Sequence, residues 1–330
     1  MIPHNRPTLG DAEQAAVARV LASGWIAQGR EVESLEREFC AYLGLPDGHA
    51  VAVSSGSAAL FLALTILGVR QKQVALPVYS CAALPDAVTL AGGRSLYMDV
   101  ALGSPNVAPE EIASVAVDVV VAAHMFGNPI DLRTTGDTLV VEDCAQALVA
   151  KVGGVPVGLH GAIGIYSFYA TKLITAGGQG GMVVSSNRAI VDAVRDYRQF
   201  DHRADRTPRF NFQMTDIQAA IARAQLSRLD SFLSRRAEIF NRYREAGVTL
   251  LDAPGAVRFR VVLRTTEPEK VIARLAEAGV SAIIPVETWE ILDCPEAYPF
   301  ALDMARTTVS LPVYPSLSDK ELAVVLDCLH

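Results

Sequence analysis

The sequence lacks the features that mark disulfide-stabilised, zinc-binding and nucleic-acid-binding proteins. Its five cysteines are odd in number and far apart, without a CxxC pair or a cluster with histidine: Cys40, Cys81, Cys144, Cys294 and Cys328. This spacing indicates reduced thiols rather than a disulfide framework or a structural zinc site. The net charge is −7 and no basic block occurs, which argues against nucleic acid as a partner.

The sequence also lacks an apolar run long enough to cross a bilayer. The longest, AALFLALTILGV at residues 58–69, is roughly eight residues shorter than a membrane span and predicts a buried helix instead. No cationic leader followed by an apolar segment opens the chain, so we expect a cytoplasmic protein with no membrane partner. With 330 residues, 51% of them hydrophobic and 20% charged, the composition is globular.

Short apolar runs alternate with helical patterns in the first half of the chain. Strands are predicted at residues 50–53, 73–77, 94–100, 115–124 and 138–143, with helices at 31–43, from 57, and at about 81–90. Strands too apolar to have one face in water, alternating with helices, are typical of an α/β protein. We therefore expect a mainly parallel sheet covered on both faces.

The pattern changes after residue 187. Helices are predicted at 187–199 and from 215 to about 246, followed by a strand at 257–264, a helix at 268–278, another strand pair and a terminal helix after 318. A boundary between residues 232 and 240 divides the chain into a large domain, 1–235, and a small α+β domain, 236–330.

One lysine stands out in the stretch SFYATKLITAGGQGGMVV, residues 167–184. Lys172 lies in an apolar run, five residues after Ser167 and just before a glycine cluster. Loss of hydration disfavours the ammonium form and lowers the lysine pKa, which would make Lys172 an amine nucleophile able to form a Schiff base with a carbonyl. The alternative is a structural lysine whose stem packs while its amine stays in water.

Two further stretches end strands with polar residues. In SSGSAALFLAL, residues 54–64, a helix begins near Ser57, so the amides of Ser57 and Ala58 could bind an anion, or Ser57 could be an ordinary N-cap. In VVEDCAQAL, residues 140–148, Asp143 falls at the carboxyl end of a strand and Gln146 three residues later. Asp143 could hold a protonated ring nitrogen, or these polar residues could only solvate the strand end. His124, at the tip of another strand, fits a structural role.

These motifs, in this order, resemble the pyridoxal-phosphate enzymes of the aspartate-aminotransferase fold, and more closely the DegT/DnrJ/EryC1/StrS family of sugar aminotransferases. The resemblance covers nearly the whole chain. Its segments are SGWIAQGREVESLEREF (23–39), SSGSAAL, VEDCAQAL, SFYATK, FNFQMTDIQAAIARAQLSRLD (210–230) and VSLPVYPSLSDKE (309–321). It implies fold type I: a large domain with a mostly parallel mixed sheet covered by helices, and a smaller C-terminal α+β domain.

The resemblance implies a role for each motif residue in binding pyridoxal 5′-phosphate (PLP). Lys172 would carry the cofactor as a Schiff base and move the proton between substrate and cofactor. Asp143 would pair with the pyridinium nitrogen, and Gln146 would hydrogen-bond the phenolic oxygen. The phosphate would be held by Ser57, Ala58 and Ser167. Asn211 would reach the phosphate of a partner subunit, which implies a homodimer with shared active sites.

Three departures from the family pattern concern the substrate side of the site. An aromatic residue often follows the second strand to cover the cofactor, but PVYSCAA, residues 77–83, has Cys81 there, with Tyr79 as the alternative cover. The usual Asn-x-Arg of the loop reads Asn211-Phe212-Gln213. IIPVETWEILDCPEAYP, residues 283–299, replaces a histidine-containing stretch that often lines the sugar pocket.

The resemblance therefore predicts a PLP-dependent aminotransferase. It would transfer an amino group from an amino-acid donor, by analogy glutamate, to a keto-sugar that is linked to a nucleotide. The alternatives are transamination of a non-sugar ketone such as a cyclitol, a PLP-dependent sugar dehydratase, and a cofactor-binding relative without turnover. Dehydratases of the family typically have histidine in place of the lysine, so Lys172 disfavours that alternative.

Overall fold

The computed structural model describes residues 1–329. Its helices are α1 (Asp11–Ser23), α2 (Arg30–Leu43), α3 (Gly56–Ile66), α4 (Ala83–Leu90), α5 (Pro109–Ser114), α6 (Arg188–Arg198), α7 (Asp216–Leu226), α8 (Leu229–Glu245), α9 (Pro268–Glu277), α10 (Pro299–Thr307) and α11 (Asp319–Asp327). Its strands are β1 (Ala50–Val53), β2 (Gln73–Pro77), β3 (Arg94–Met98), β4 (Val119–Ala123), β5 (Val140–Asp143), β6 (Lys151–Val152), β7 (Val155–Pro156), β8 (Ile163–Ser167), β9 (Gly181–Val184), β10 (Val261–Arg264) and β11 (Thr308–Leu311). None of these helices is both long enough and apolar enough to span a membrane.

A seven-stranded sheet forms the centre of the larger part of the chain. The strand order is β1-β9-β8-β5-β4-β2-β3, and only β9 runs antiparallel to its neighbours. Every residue of β4 (VVVAA) and of β1 (AVAV) is buried, because helices cover both faces of the sheet. The predicted α/β class and the mostly parallel sheet are confirmed.

A smaller antiparallel pair, β10 with β11, forms the second structural unit. Its core contains residues of α9, α11 and the second half of α8, such as Phe240 and Tyr243, whereas Leu226 and Leu229 pack in a core of the larger unit. Helix α8 runs through residues 235 and 236 without a break. Ile2 also packs in the smaller core and pairs with Val280. The division into domains 1–235 and 236–330 stays a prediction.

Several predicted elements differ from those observed. The helix predicted from 215 to 246 is two helices, since Ser227 and Arg228 separate α7 from α8. The strand predicted at 115–124 is only 119–123, and residues 115–118 connect the end of α5 at Ser114 to β4. The predicted late strand pair is β11 alone, joined by a single bridge from Ile283 to Ser310. Helices α1, α5 and α10 were not predicted.

Candidate active site

The parallel strands β4, β5 and β8 end at one edge of the sheet. Their register pairs Ala123 with Asp143 and Asp143 with Ile165, so the segments that follow the strands lie side by side. This edge is where open α/β sheets bind their ligands. It therefore brings together Asp143, Gln146, Ser167 and the turn that carries Lys172.

Lys172 lies in the connection between β8 and β9, close enough to Asp143 and Cys81 for their charges to act on its amine. The part of the sheet edge that these three residues share is here called the cleft. Its Nζ is 5.2 Å from the centre of the Phe259 ring, and no carboxylate within residues 1–329 forms an ion pair with it. Burial lowers the pKa of Lys172, while Asp143 and Cys81 oppose this effect and Arg260 adds to it. The amine therefore has the desolvated surroundings that favour a nucleophile over a solvated structural lysine.

Asp143 faces the same cleft. Its Oδ1 accepts a hydrogen bond of 2.9 Å from the Ala145 amide, and its backbone carbonyl accepts one of 3.1 Å from the His124 amide. Burial raises the pKa of Asp143, and the positive charge of Lys172 works in the opposite direction. The two groups influence each other electrostatically without touching.

Glu142, one residue earlier, points away from the cleft and is fully buried. Its two oxygens accept backbone hydrogen bonds of 2.6–2.7 Å from Gly158, His160 and Gly161, and one of 3.0 Å from His124 Nε2. The hydrogen bonds outweigh burial, so the pKa of Glu142 is lowered. Glu142 is therefore part of a hydrogen-bond network that connects the strand to the 158–161 turn, not a solvated strand end.

His124 has a structural role, as its position at a strand tip indicated. The Ile130 amide donates to its Nδ1 at 3.0 Å, so the proton lies on Nε2 and the ring is neutral. His124, Glu142 and Cys144 are close enough to ligate a metal. The lone pairs of the carboxylate and of the imidazole already accept N–H donors, which leaves this buried group no coordination position.

Gln146 is held in one orientation. The Phe126 amide donates to its Oε1 at 2.8 Å, which leaves its Nε2 free to donate, with only Met125 Sδ at 3.7 Å. Phe126 has φ 62°, a conformation that costs a bulky residue about 1–2 kcal/mol. This strained turn fixes the amide so that its donor side is available for a ligand oxygen.

The start of α3 lies beside Ser167. Ser55, which was not predicted as a site residue, is the N-cap, and its Oγ accepts from the Ala58 amide at 3.0 Å. Ser57 is exposed in the first turn, and the Gly56 and Ser57 amides have no partner within the helix. The predicted amide of Ala58 is thus used by the cap, while the two preceding amides and the Ser57 hydroxyl face outward.

Contact between α3 and β8 is close at Gly56. A Cβ atom at this position would lie 2.7 Å from Ser167 Cβ and 3.0 Å from its Oγ. The absence of a side chain at Gly56 therefore lets the Ser167 hydroxyl approach the helix N-terminus. Together these groups form a cluster of neutral donors for an anion.

Tyr79 and Cys81 differ in their position. Tyr79 is fully buried and packs edge-on against Phe126, with ring centres 6.1 Å apart. Cys81 is accessible to solvent, and partial desolvation together with Asp143 raises the pKa of its thiol, while Lys172 lowers it. Cys81, rather than Tyr79, therefore has its side chain in the cleft with Lys172 and Asp143.

Asn211 lies in an exposed loop, where its Oδ1 accepts from the Gln213 amide at 3.0 Å. The neighbouring Phe212 carbonyl accepts from the Ser54 amide at 2.8 Å. The loop thus passes beside the start of α3. A cavity of about 400 Å³ at this place is lined by Ser54, Ser55, Ser57, Ala58, Phe61, Leu90, Phe210 and Phe212.

Sequence reasoning did not select Phe259 and Arg260, which lie near Lys172 in the segment just before β10. A usable signal exists in RFRVVLR, residues 258–264, where arginines alternate with apolar residues at the start of a strand. In an extended segment, that alternation predicts Arg258 and Arg260 on one side and Phe259 on the other. It does not show which surface Arg260 faces.

Comparison with known proteins identifies the family of this chain. The family model for DegT/DnrJ/EryC1/StrS aminotransferases matches residues 7–330. The chain belongs to this family. It is 27% identical to GDP-perosamine synthase of Escherichia coli O157:H7 over 100% of this chain and 98% of that protein. It is 28% identical to the dTDP-4-dehydro-2,3,6-trideoxy-D-glucose 4-aminotransferase of Saccharopolyspora spinosa, over 99% and 95% of the two chains.

A solved structure agrees with this assignment. The aminotransferase TlmJ from Streptoalloteichus hindustanus has a TM-score of 0.91 and 28% identity, covering 100% of this chain and 98% of that one. The protein is therefore an aminotransferase of the fold-type-I class, and aminotransferases of this family depend on PLP.

The donor set of the cleft fits PLP. The amine of Lys172 suits an aldehyde, and the carboxylate of Asp143 suits a protonated ring nitrogen. The free amide donor of Gln146 suits a phenolic oxygen. The amides at the start of α3, with the hydroxyls of Ser57 and Ser167, suit a phosphate. The first turn of α3 contains no acidic residue, so no carboxylate there would repel a bound phosphate.

Proposed function

We propose that this aminotransferase moves an amino group from L-glutamate to a keto-sugar that is attached to a nucleotide. The observation that carries the proposal is the convergence of Lys172, Asp143, Gln146 and the N-terminus of α3 on one sheet edge. The names of two relatives, a GDP-sugar synthase and a dTDP-sugar aminotransferase, support the substrate class.

Lys172 is the proton carrier and the point of covalent attachment in this proposal. Because burial lowers its pKa, the amine exists in its neutral form at lower pH than an ordinary lysine does. A neutral amine can act as a nucleophile and can take a proton from the substrate carbon. Bound PLP supplies an electron sink for the carbanion that this proton removal generates.

The other residues orient the reaction. Asp143 stabilises positive charge at the ring nitrogen, and Gln146, fixed by Phe126, donates to the phenolic oxygen. The Gly56 and Ser57 amides bind the phosphate together with the hydroxyls of Ser57 and Ser167. The Ala58 amide does not take part, because it donates to the Ser55 hydroxyl that caps the helix. Cys81 covers the cofactor face with a small side chain in place of an aromatic ring.

We further propose that the protein forms a homodimer whose two subunits share their active sites. We also propose that it is cytoplasmic. The exposed loop that carries Asn211 passes beside the α3 start and is available to a second copy. In this arrangement Asn211 reaches the phosphate bound by the partner subunit. The five unpaired cysteines accord with a reducing compartment.

Spectroscopy of the two half-reactions tests the proposed substrates. L-glutamate should convert the absorption band of the bound cofactor to that of its amine form. Keto-sugar nucleotides should then restore the original band, and a cyclitol ketone should not. Restoration by the cyclitol ketone alone would support the non-sugar alternative. Failure of L-glutamate to change the spectrum would contradict the proposed donor.

A further inference from the structure

Arg260 is fixed at the edge of the cleft by its backbone. It immediately precedes β10, and its amide donates to the Phe126 carbonyl at 3.3 Å. Phe126 is the residue whose own amide holds Gln146. One backbone hydrogen bond and one amide-to-side-chain hydrogen bond therefore connect the Arg260 backbone, through Phe126, to Gln146 of the cofactor site.

The Arg260 guanidinium has no acidic partner within residues 1–329. Its Nη1 contacts are neutral groups, His4 Nε2 at 3.4 Å and Ser310 Oγ at 3.3 Å. Burial lowers the pKa of His4 to about 3, so His4 carries no charge at neutral pH. The Arg260 Nε is buried and has no hydrogen-bond partner.

The charged and titratable groups around Arg260 do not neutralise it. Burial lowers the pKa of Arg260, while Tyr79 and Glu290 act in the opposite direction from beyond ion-pair distance. A buried cation without a paired acid is costly unless a ligand supplies the negative charge. An anionic ligand bound beside Arg260 would therefore offset the cost of burying its guanidinium.

The position relative to Lys172 restricts what that anion can be. The Lys172 Nζ and the Arg260 guanidinium carbon lie 5.2 and 5.7 Å from the centre of the same ring, Phe259. In an amino acid, the carboxylate is bonded to the carbon that bears the reacting nitrogen. In a sugar nucleotide, several bonds separate the diphosphate from the reacting ring carbon. Because Lys172 and Arg260 lie against the same ring and the Arg260 charge acts on the Lys172 amine, a carboxylate one carbon from the reacting nitrogen suits this position better than a diphosphate several bonds away.

We propose that Arg260 binds the α-carboxylate of the amino-acid donor and so selects amino acids in the first half-reaction. This inference rests on the proposed function, since it assigns a residue to the donor of that reaction. A guanidinium with a free Nε–H and a terminal N–H can hold a carboxylate by two parallel hydrogen bonds. Arg260 is a specificity residue and takes no part in proton transfer.

The test compares two arginines of the same segment. Arg260→Gln removes the positive charge. Arg260→Lys keeps the charge but lacks the two parallel N–H donors of the guanidinium, and Arg258→Gln is the matched control. Arg258 pairs with Asp252 and stacks on Phe240, away from Lys172. For each holoenzyme, calorimetry gives the dissociation constant of maleate, an unreactive dicarboxylate. Single-turnover spectra then give the apparent constants for L-glutamate and for the keto-sugar nucleotide.

Arg260→Gln should weaken maleate and L-glutamate binding by roughly tenfold to a hundredfold, the range for charge-assisted hydrogen bonds. The affinity of Arg260→Lys for maleate and L-glutamate should lie between that of the wild type and that of Arg260→Gln. The apparent constant for the keto-sugar nucleotide should change by less than about twofold in both variants. Unchanged maleate binding in Arg260→Gln would overturn the proposal, as would an equal loss in Arg258→Gln. A loss confined to the keto-sugar half-reaction would overturn it by assigning the anion to the diphosphate. A wild-type enzyme that does not react with L-glutamate would instead refute the proposed function.

Discussion

At the scale of single residues, the chemistry depends on the titration of one amine. In the apoenzyme, the reaction of Lys172 with acetic anhydride, followed by peptide mass spectrometry, should reach half its maximum below the ordinary lysine pKa. The reason is that burial disfavours the ammonium form. Asp143→Asn should move this midpoint lower still, because Asp143 stabilises the ammonium. The exposed Lys320 serves as an internal standard for the reagent. A midpoint that rises in Asp143→Asn would contradict this electrostatic description.

Glu142 gives a second prediction at this scale. Glu142→Gln should lower the free energy of unfolding by about 2–4 kcal/mol, because a neutral amide replaces a buried carboxylate that accepts four hydrogen bonds. The folded-state pKa of Glu142 is lowered, so its stabilisation is complete above the ordinary glutamate pKa. It is lost as the pH falls through the lower folded value.

Urea denaturation between pH 3 and pH 7 measures both effects. Between pH 7 and pH 3, the free energy of unfolding of Glu142→Gln should fall by less than that of the wild type, because the variant lacks the carboxylate that titrates. Asp131→Asn, which breaks a solvent-exposed pair with Arg133, should leave the urea midpoint almost unchanged. Equal urea midpoints for Glu142→Gln and wild type at pH 7 would show that the network contributes no net stability.

At the scale of elements, the contact between α3 and β8 decides whether the phosphate donors converge. Gly56→Ala should raise the dissociation constant of PLP by about tenfold, because the added Cβ would meet Ser167 at 2.7 Å and displace its hydroxyl. Gly10→Ala, also at a helix start, meets its nearest neighbour at 4.0 Å and should bind PLP normally. Equal affinities in a fluorescence titration of the two variants would exclude this role for Gly56.

The predictability of each element depended on the strength of its local pattern. The buried strands β4 and β5 were visible as apolar runs, and Asp143 at a strand end followed from them. Helix α1 (DAEQAAVARVLAS) was missed because only Ala16 and Val20 of its apolar residues are buried, with Glu13 beside them. Such a narrow apolar stripe gives little periodic signal.

Contacts between distant segments could not be predicted from the sequence. Glu142 reaches a turn 16 to 19 residues away, and Arg260 attaches to Phe126 across the two units. Both depend on strand register and on how β10 packs, which local composition does not encode. Likewise, Ser57 was placed at the helix start by its sequence, but Ser55 caps the helix because the first turn begins at Gly56.

At the scale of the whole molecule, the shared active site predicts that two defective variants can complement each other. Lys172→Ala lacks the attachment point, and Asn211→Ala lacks the group proposed to reach the partner. In a mixed dimer, one site would have an intact lysine and an intact asparagine. Mixing equal amounts after reversible dissociation should therefore restore about a quarter of the wild-type activity.

Each parent variant, taken separately through the same dissociation step, is the control. Activity no higher than the average of the two parents would mean that Asn211 serves the site of its own chain. Sedimentation of the wild type as a species of twice the chain mass would support the dimer, and a monomer would contradict it.

The most direct measurement is the location of the covalent attachment of the cofactor. Borohydride reduction of the holoenzyme, followed by proteolysis and mass spectrometry, should find the phosphopyridoxyl group on the peptide that contains Lys172. The other lysines of the chain should remain unmodified. A modification on any other lysine, or none in a protein that retains PLP, would contradict the account of this site.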